Sequence, residues 1–319
     1  MPRNPYASAK DTLLRRKNPC SQGVSGFLIE LNYEVDKALS NLPERSRVMV
    51  VGEPDTGKST FVALLARWFY TNSRKTAVVD CDVGQADVGP PGFISYGFVE
   101  HPVTSLKAVA RTGSYLVGNT SPYGRLLPVV TGTEACVRAA ERDGADIILI
   151  DTSGLVRPHA GVQLKCAKAG AVYPHLVIAL GTPGLRPLTN HLKSLGFTVL
   201  SLEPLAGVRM KSIEERRENR VFRWNMYLKD ARAFRLDLSR VRIYRWWAET
   251  HYVDVDTVPH GTVVAVPDPS RIGLQTPCVW ITSENGPMVI APLPQDYEPE
   301  IVWVTSYRLH LLGTQVTSA

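Results

Sequence analysis

No run in this sequence approaches the roughly 18 apolar residues a membrane-spanning helix requires, and the opening MPRNPYASAK has no apolar stretch behind it to make a secretory leader. The expectation is a soluble, cytoplasmic protein with no membrane partner. Cysteine is scarce: Cys20, Cys81, Cys136, Cys166 and Cys278 are odd in number and never form a CxxC pair, which excludes a disulfide framework and a zinc ribbon. They read as packing residues. Internal repeats and low-complexity tracts are also absent, and 44% hydrophobic with 21% charged residues over 319 positions is a globular mixture, not a disordered or fibrous one. Lone histidines such as His159, His175 and His191 show no ligand spacing and receive no role.

Acidic charge is in deficit. The net charge is +6, and residues 205–247 alone hold twelve Lys or Arg against five acids, so the rest of the chain sums to −1. The excess is one local strip. Phe222, Trp224, Tyr227, Phe234, Tyr244, Trp246 and Trp247 interleave it, a mixture that lets a groove follow a nucleic-acid backbone while bases stack. Most of these aromatics are nevertheless expected to pack internally.

What the chain does contain is a succession of short β-branched runs, VMVV, TAVVD, DIILID, HLVIAL and FTVLSL, separated by helical patterns near 58–71, 128–143 and 159–172. Runs without polar alternation are covered on both faces, which indicates a parallel sheet built from βα units. Ahead of it, Phe27, Leu28, Leu31, Val35 and Leu39 repeat with helical spacing until Pro43. Beyond about residue 231, prolines alternate with strand-like runs such as GTVVAV, CVWI and IVWVTSY, which reads as mostly β. The expected architecture is an arm and helix over 1–46, a three-layer α/β P-loop NTPase domain over 47–230 with a lid near 207–225, and a small β domain over 231–319.

Gly52-Glu53-Pro54-Asp55-Thr56-Gly57-Lys58-Ser59 is a complete GxxxxGK[ST] motif, followed by Thr60, lying between a β-branched strand and a helix. The glycines let the chain curl until its N–H groups face phosphate oxygens, with the positive end of the helix beneath them. Lys58 would reach the β and γ phosphates and Ser59 would hold Mg²⁺. Guanine selectivity is not supported: the nearest counterpart of NKxD is Asn190-His191-Leu192-Lys193. Glu53 stands where the deviant loop of ParA-like ATPases carries lysine.

The second strand runs into Asp80-Cys81-Asp82-Val83-Gly84-Gln85 at the carboxyl end of the sheet, where ligands bind. Alternation puts Asp80 and Asp82 on one side of an extended chain. Phosphoryl transfer needs a carboxylate to accept a proton and another in the metal's water shell. Asp82 is the expected base. Asp80 and Asp151, the latter ending DIILID, compete for the metal. Arg216 and Arg220, four apart on one helix face, are suited to spread γ-phosphate charge over planar donors, with Arg217 pointing elsewhere.

Together, VVGEPDTGKST, DCDVGQADVGPPG, LVGNTSPYG and ERRENR resemble the polynucleotide 5′-hydroxyl kinases that include the kinase subunit of the eukaryotic pre-mRNA cleavage complex, its nucleolar relatives in ribosomal RNA processing, and shorter archaeal members. The resemblance spans about residues 47–225. It implies transfer of the γ-phosphate of ATP to the 5′-OH of RNA, or also of DNA. Lys58 and Ser59 would take phosphate and Mg²⁺, Asp82 would activate the 5′-OH, and Gln85 would order the site. Residues from Gly118 to Pro122 would form a clasp, with Ser121, Pro122 and Arg125 on the substrate side, and Arg216 and Arg220 would close as lid arginines. The clasp lacks the Asn that eukaryotic members place after Thr-Pro, and fewer than 50 residues precede the loop, which fits the archaeal type. A nucleotide-locked scaffold subunit of an RNA-processing complex and a small-molecule kinase or generic ATPase are the rival readings.

Overall fold

A computed structural model describes residues 33–156, 159–205, 207–247, 253–284, 286–313 and 315–317. Helix α1 (Tyr33–Ser40) buries Val35 and Leu39, while Phe27, Leu28 and Leu31 of the expected longer helix lie outside the described residues. There follow β1 (Ser46–Gly52), α2 (Lys58–Thr71), β2 (Thr76–Cys81), β3 (Phe93–Phe98), β4 (Gly113–Leu116), α3 (Leu126–Arg142), β5 (Ile147–Thr152), α4 (His159–Val172), β6 (Leu176–Leu180), α5 (Arg186–Ser194) and β7 (Val199–Leu202). The seven strands form one sheet in the order β4-β3-β2-β5-β1-β6-β7.

The stretch β2-β5-β1-β6-β7 is parallel, as expected from its continuous apolar runs. At the other edge the sheet departs from that reading, because β3 and β4 pair antiparallel. Eleven residues join β2 to β3 with no helix among them, too few for a crossover and sufficient for a reversal. Alternate residues of each strand enter different cores. Met49 and Val51 pack with α3, α4 and α5, whereas Val48 and Val50 pack with α1 and α2. That is the three-layer arrangement, and Cys81 and Cys136 lie in it as packing residues.

The register sets up the site. Val50 and Asp80 both pair with Asp151, so the carboxyl ends of β1, β2 and β5 lie side by side. Helix α6 (Ile213–Leu228) comes next, then β8 (Arg232–Arg235), β9 (Arg242–Arg245), β10 (Thr262–Pro267), β11 (Gln275–Ser283), β12 (Gly286–Ala291) and β13 (Ile301–Arg308), with a β14 (His310–Leu312) and β15 (Gln315–Thr317) hairpin. The second sheet has the order β8-β12-β11-β10-β13-β9 and is antiparallel except where β9 meets β13. One of its faces shares a core with Phe93, Leu116 and the fully buried Trp224 of α6. The Leu116 N–H also donates to Gln275 Oε1 at 2.9 Å. The β sheet therefore braces α6 against the first sheet.

Trp224 bears out the packing expectation, but Phe222 and Trp247 are exposed. The basic strip divides in space. Its first half lies along α6 and its second half on β8, β9 and the turn between them.

Candidate functional site

The P-loop is built from its own backbone. Gly57 takes φ +85°, a left-handed conformation that opens the α2 N-terminus toward the cleft. Gly52 meets β6 so closely that an added Cβ would lie 2.1 Å from the Leu180 oxygen. Thr56 Oγ1 donates to the Glu53 oxygen at 3.0 Å, and Lys58 Nζ donates to the same oxygen at 2.5 Å. The Glu53 carboxylate turns outward to accept from Thr182 Oγ1 at 2.8 Å. Burial pulls the Lys58 ammonium below its usual range, opposed by Asp151, Asp82, Asp55 and Glu53. Glu53, Pro54, Asp55, Gly57, Lys58, Ser59 and Thr60 line a cleft of about 650 Å³; Gly52 and Thr56 support it from behind.

The two aspartates of DCDVGQ separate. Extended backbone ends at Cys81, so alternation no longer holds them together. Asp80 is buried and turns back on its own chain, accepting the N–H groups of Asp82 at 2.9 Å, Asp87 at 2.6 Å and Val88 at 2.9 Å. Burial, then the charge of Asp151, pushes its carboxyl well above the ordinary range. Asp80 does not line the cleft; it moulds the loop that does. Asp82 does line it. Its Oδ1 accepts the N–H groups of Gly84 and Gln85, each at 3.0 Å, while its Oδ2 has no partner among the described residues. Gly84 is needed for contact with the 118–124 loop, since a Cβ there would lie 2.6 Å from the Thr120 oxygen.

Asp151 lies beside the loop helix. Burial raises its carboxyl to about 6, opposed first by the neighbouring Ser59 side chain and then by Lys58. Its Oδ1 is a buried oxygen with no partner. A hydroxyl next to an unpartnered carboxylate oxygen fits the P-loop Mg²⁺, which keeps most of its water and takes few protein ligands. Among the described residues there is no cluster of three or more His, Cys, Asp or Glu suited to a metal. Behind the floor, the buried Lys165 of α4 donates through Nζ to the Ser153 oxygen at 2.6 Å and anchors the turn after Asp151.

The roof is α6. Ser212 and Glu215 form a capping box, and Glu215 also pairs with Arg209. Arg216 pairs with Asp55 of the P-loop at 2.6 Å, and Gln85 Nε2 donates to the Arg216 oxygen at 3.1 Å. The helix is thus tied to both the P-loop and the loop after β2. Arg216 and Arg220 line the cleft without pairing to Glu214, Glu215 or Glu218, as a merely solvated helix face would have it.

Lys58, Ser59, Asp82, Gln85, Ser121, Pro122, Arg216 and Arg220 therefore line one cleft. Gly118 and Arg125 do not. Gly118 packs under Thr305 and Trp246, and Arg125 is the N-cap residue of α3, its side chain making no cap hydrogen bond and not lining the cleft. Asp87, Tyr123, Ser153, Val208, Arg209 and Lys211 also line the cleft and were not singled out from sequence. Asp87 belongs to the same DVGQAD run, which was the available signal.

Three comparisons bear on this site. A family model described as "mRNA cleavage and polyadenylation factor CLP1 P-loop" matches residues 52–230. A Thermococcus kodakarensis protein named polyribonucleotide 5′-hydroxyl-kinase is 35% identical over 196 residues, covering 61% of this chain and 55% of the relative. A Methanocaldococcus jannaschii protein of the same name is 31% identical over 219 residues, covering 67% and 59%. The Clp1 kinase of Xenopus laevis is 30% identical over 220 residues, covering 64% and 50%. The chain thus spans little more than half the length of these relatives. Among solved structures, a wild-type Clp1p–Pcf11p complex is similar in fold, with TM-score 0.70 at 14% identity over 86% of this chain and 77% of that one.

Proposed function

The chain belongs to the CLP1 P-loop family, and on that footing we propose that it is an ATP- and Mg²⁺-dependent polynucleotide 5′-hydroxyl kinase. The observation that carries this reading is the meeting, in one cleft, of the P-loop cation Lys58, the half-free carboxylate of Asp82 and two helix-borne arginines. A hydrolase needs only to orient water. A kinase needs a base facing the phosphate loop with room between them for an acceptor.

The 5′-OH lies between Asp82 and the γ-phosphate. Asp82 Oδ2 accepts the hydroxyl proton as the oxygen forms its bond to phosphorus, and the bond from phosphorus to the bridging oxygen of ADP breaks. The backbone N–H bonds on Oδ1 keep the carboxylate from turning away. Lys58 and the α2 N-terminus hold the phosphates, and Arg216 and Arg220 meet charge spreading over the γ oxygens. Ser59 and Asp151 would hold Mg²⁺, which supplies neutralisation of the phosphate oxygens. Asp80 then acts through the loop and not on the metal.

Transfer of label from γ-labelled ATP to 5′-OH RNA and DNA oligonucleotides, with Asp82→Asn as control, tests the reading. Labelled ends with the native enzyme and none with the variant are expected. Tight ATP binding without any label transfer would sink it.

A further inference from the structure

Beside the cleft, on the far side of α6, a second depression of about 130 Å³ runs between the helix and β13, β14 and β15. We propose that it is the track along which the strand leaving the phosphorylated end is held by its phosphodiester backbone, so that the second sheet takes part in binding a single-stranded polynucleotide. This rests on the kinase reading above and assigns a binding face to a region outside the catalytic segments.

Continuity is the first argument. Arg220 lines both the cleft and the groove, so an end seated at Asp82 has its next phosphates directed over α6. Charge is the second. Arg217 and Arg220 from the helix, Arg308 at the end of β13 and His310 of the β14–β15 hairpin form the rims, and no acidic residue lines the groove. Arg217, expected to point elsewhere, points away from the cleft but into this groove. Being three residues apart, Arg217 and Arg220 share one helix face. Among the described residues neither has a carboxylate partner. Arg308 spends only Nε, donated to the His260 oxygen at 2.8 Å. Three guanidiniums around one small groove with no acid between them repel one another unless an anion lies there.

Rigidity is the third. The Asn225 side chain both donates to the Val316 oxygen and accepts the Val316 N–H, each at 2.8 Å, and Trp224 beside it is fully buried. Helix and hairpin are therefore locked together, and the rims are held at a fixed spacing before anything binds. The floor of Tyr307, Leu309 and Val316 is mainly apolar and narrow, suited to a sugar-phosphate unit.

The test compares a 5′-OH RNA dinucleotide with a 12-mer, for the native protein, Arg217→Ala/Arg308→Ala and Arg217→Lys/Arg308→Lys. Native kcat/KM is expected to be higher for the 12-mer. The alanine pair lowers the 12-mer to dinucleotide ratio by about tenfold through KM, and the lysine pair restores most of it. Binding of a labelled 12-mer, followed by anisotropy against KCl, loses about 1.4 from its log–log slope in the alanine pair, since each phosphate contact on a single strand contributes roughly 0.7. No length advantage in the native enzyme, or an equal loss on both substrates, overturns the proposal. The anisotropy arm decides independently of turnover, because an unchanged slope removes the track even if no substrate is phosphorylated. An acidic peptide that displaces the 12-mer as well as unlabelled RNA would reassign the groove to a protein partner. Failure of label transfer with an intact, variant-sensitive binding slope would remove the kinase reading and keep the groove.

Discussion

The floor of the cleft is made of strand ends and the roof of a single helix, and the two are held in place by different forces. On the floor, Asp80, Asp82 and Asp151 sit on or just past strands whose neighbours are fully buried, and three backbone N–H groups close on Asp80 alone. On the roof, α6 meets the floor through the Arg216–Asp55 pair and the Gln85 bond to the Arg216 oxygen. Its C-terminal half, by contrast, is sealed into the second sheet by Trp224. Charges that need accuracy are placed on the stiff part. Arg216, at the N-terminal end of the roof, is placed where a few polar bonds hold it, which is where the proposed closing of the roof would act.

The largest test of that division is on the floor. Asp82→Asn keeps the shape and the two loop hydrogen bonds in reach but removes the proposed base, and kcat is expected to fall by about 10³. On the roof, Arg216→Ala or Arg220→Ala should each lower kcat by about 10² while leaving the thermal midpoint nearly unchanged. If roof variants unfold the protein as readily as floor variants, the contrast between the two regions fails.

A third pair of variants separates structural from functional carboxylates within the floor. Asp80→Ala orphans three N–H groups and is expected to cost about 2–3 kcal/mol, read as a lowered thermal midpoint. Asp151→Asn should do the opposite in EDTA. Burial lifts the Asp151 carboxyl to about 6, so the folded state holds this proton more tightly than the unfolded chain. The associated stability is present below about pH 4 and lost as pH rises through 6. The asparagine variant should therefore gain on the order of 1–2 kcal/mol at pH 8, lose that gain near pH 4, and be poorly active throughout.

The floor was legible in the sequence because its signals are local. GxxxxGK[ST] after a strand, and DCDVGQ at the end of another, specify backbone shape as well as chemistry. The parallel sheet was legible from runs without alternation, but the antiparallel β3 and β4 were not, because FISYGF resembles any buried strand until its partner is known. The different fates of Asp80 and Asp82 depend on the point where β2 stops being extended, which alternation cannot locate. Lys165 was invisible for another reason: a lysine in a helical pattern reads as solvent-facing, yet its ammonium is buried beneath Ser153. On the roof, helix spacing found Arg216 and Arg220 and set Arg217 apart from the cleft, but what Arg217 faces was not legible, because its neighbours come from β13–β15, some 90 residues further on.

The smallest expected effect lies where floor and roof touch. Arg216 meets Asp55 at 2.6 Å, with the guanidinium a third exposed and the carboxylate largely covered. To stabilise a γ-phosphate, that guanidinium must exchange one anion for another. Asp55 lies in the P-loop itself, so the partner it surrenders is one the nucleotide also wants. The pair ties the roof to the floor, and on the proposed reading it competes with phosphate for the same donor. Partly exposed pairs of this kind contribute only about 0.5–1 kcal/mol after desolvation and screening. Asp55→Ala should accordingly tighten ATP by about two- to fivefold, measured by calorimetry, with the gain shrinking as salt rises. Because α6 would then lose a tie to the floor, exchange of the amides of residues 213–216 should quicken while those near Trp224 stay protected. Weaker ATP binding in this variant would mean that Asp55 orients Arg216 toward phosphate instead of competing for it, and the roof would then be as preorganised as the floor.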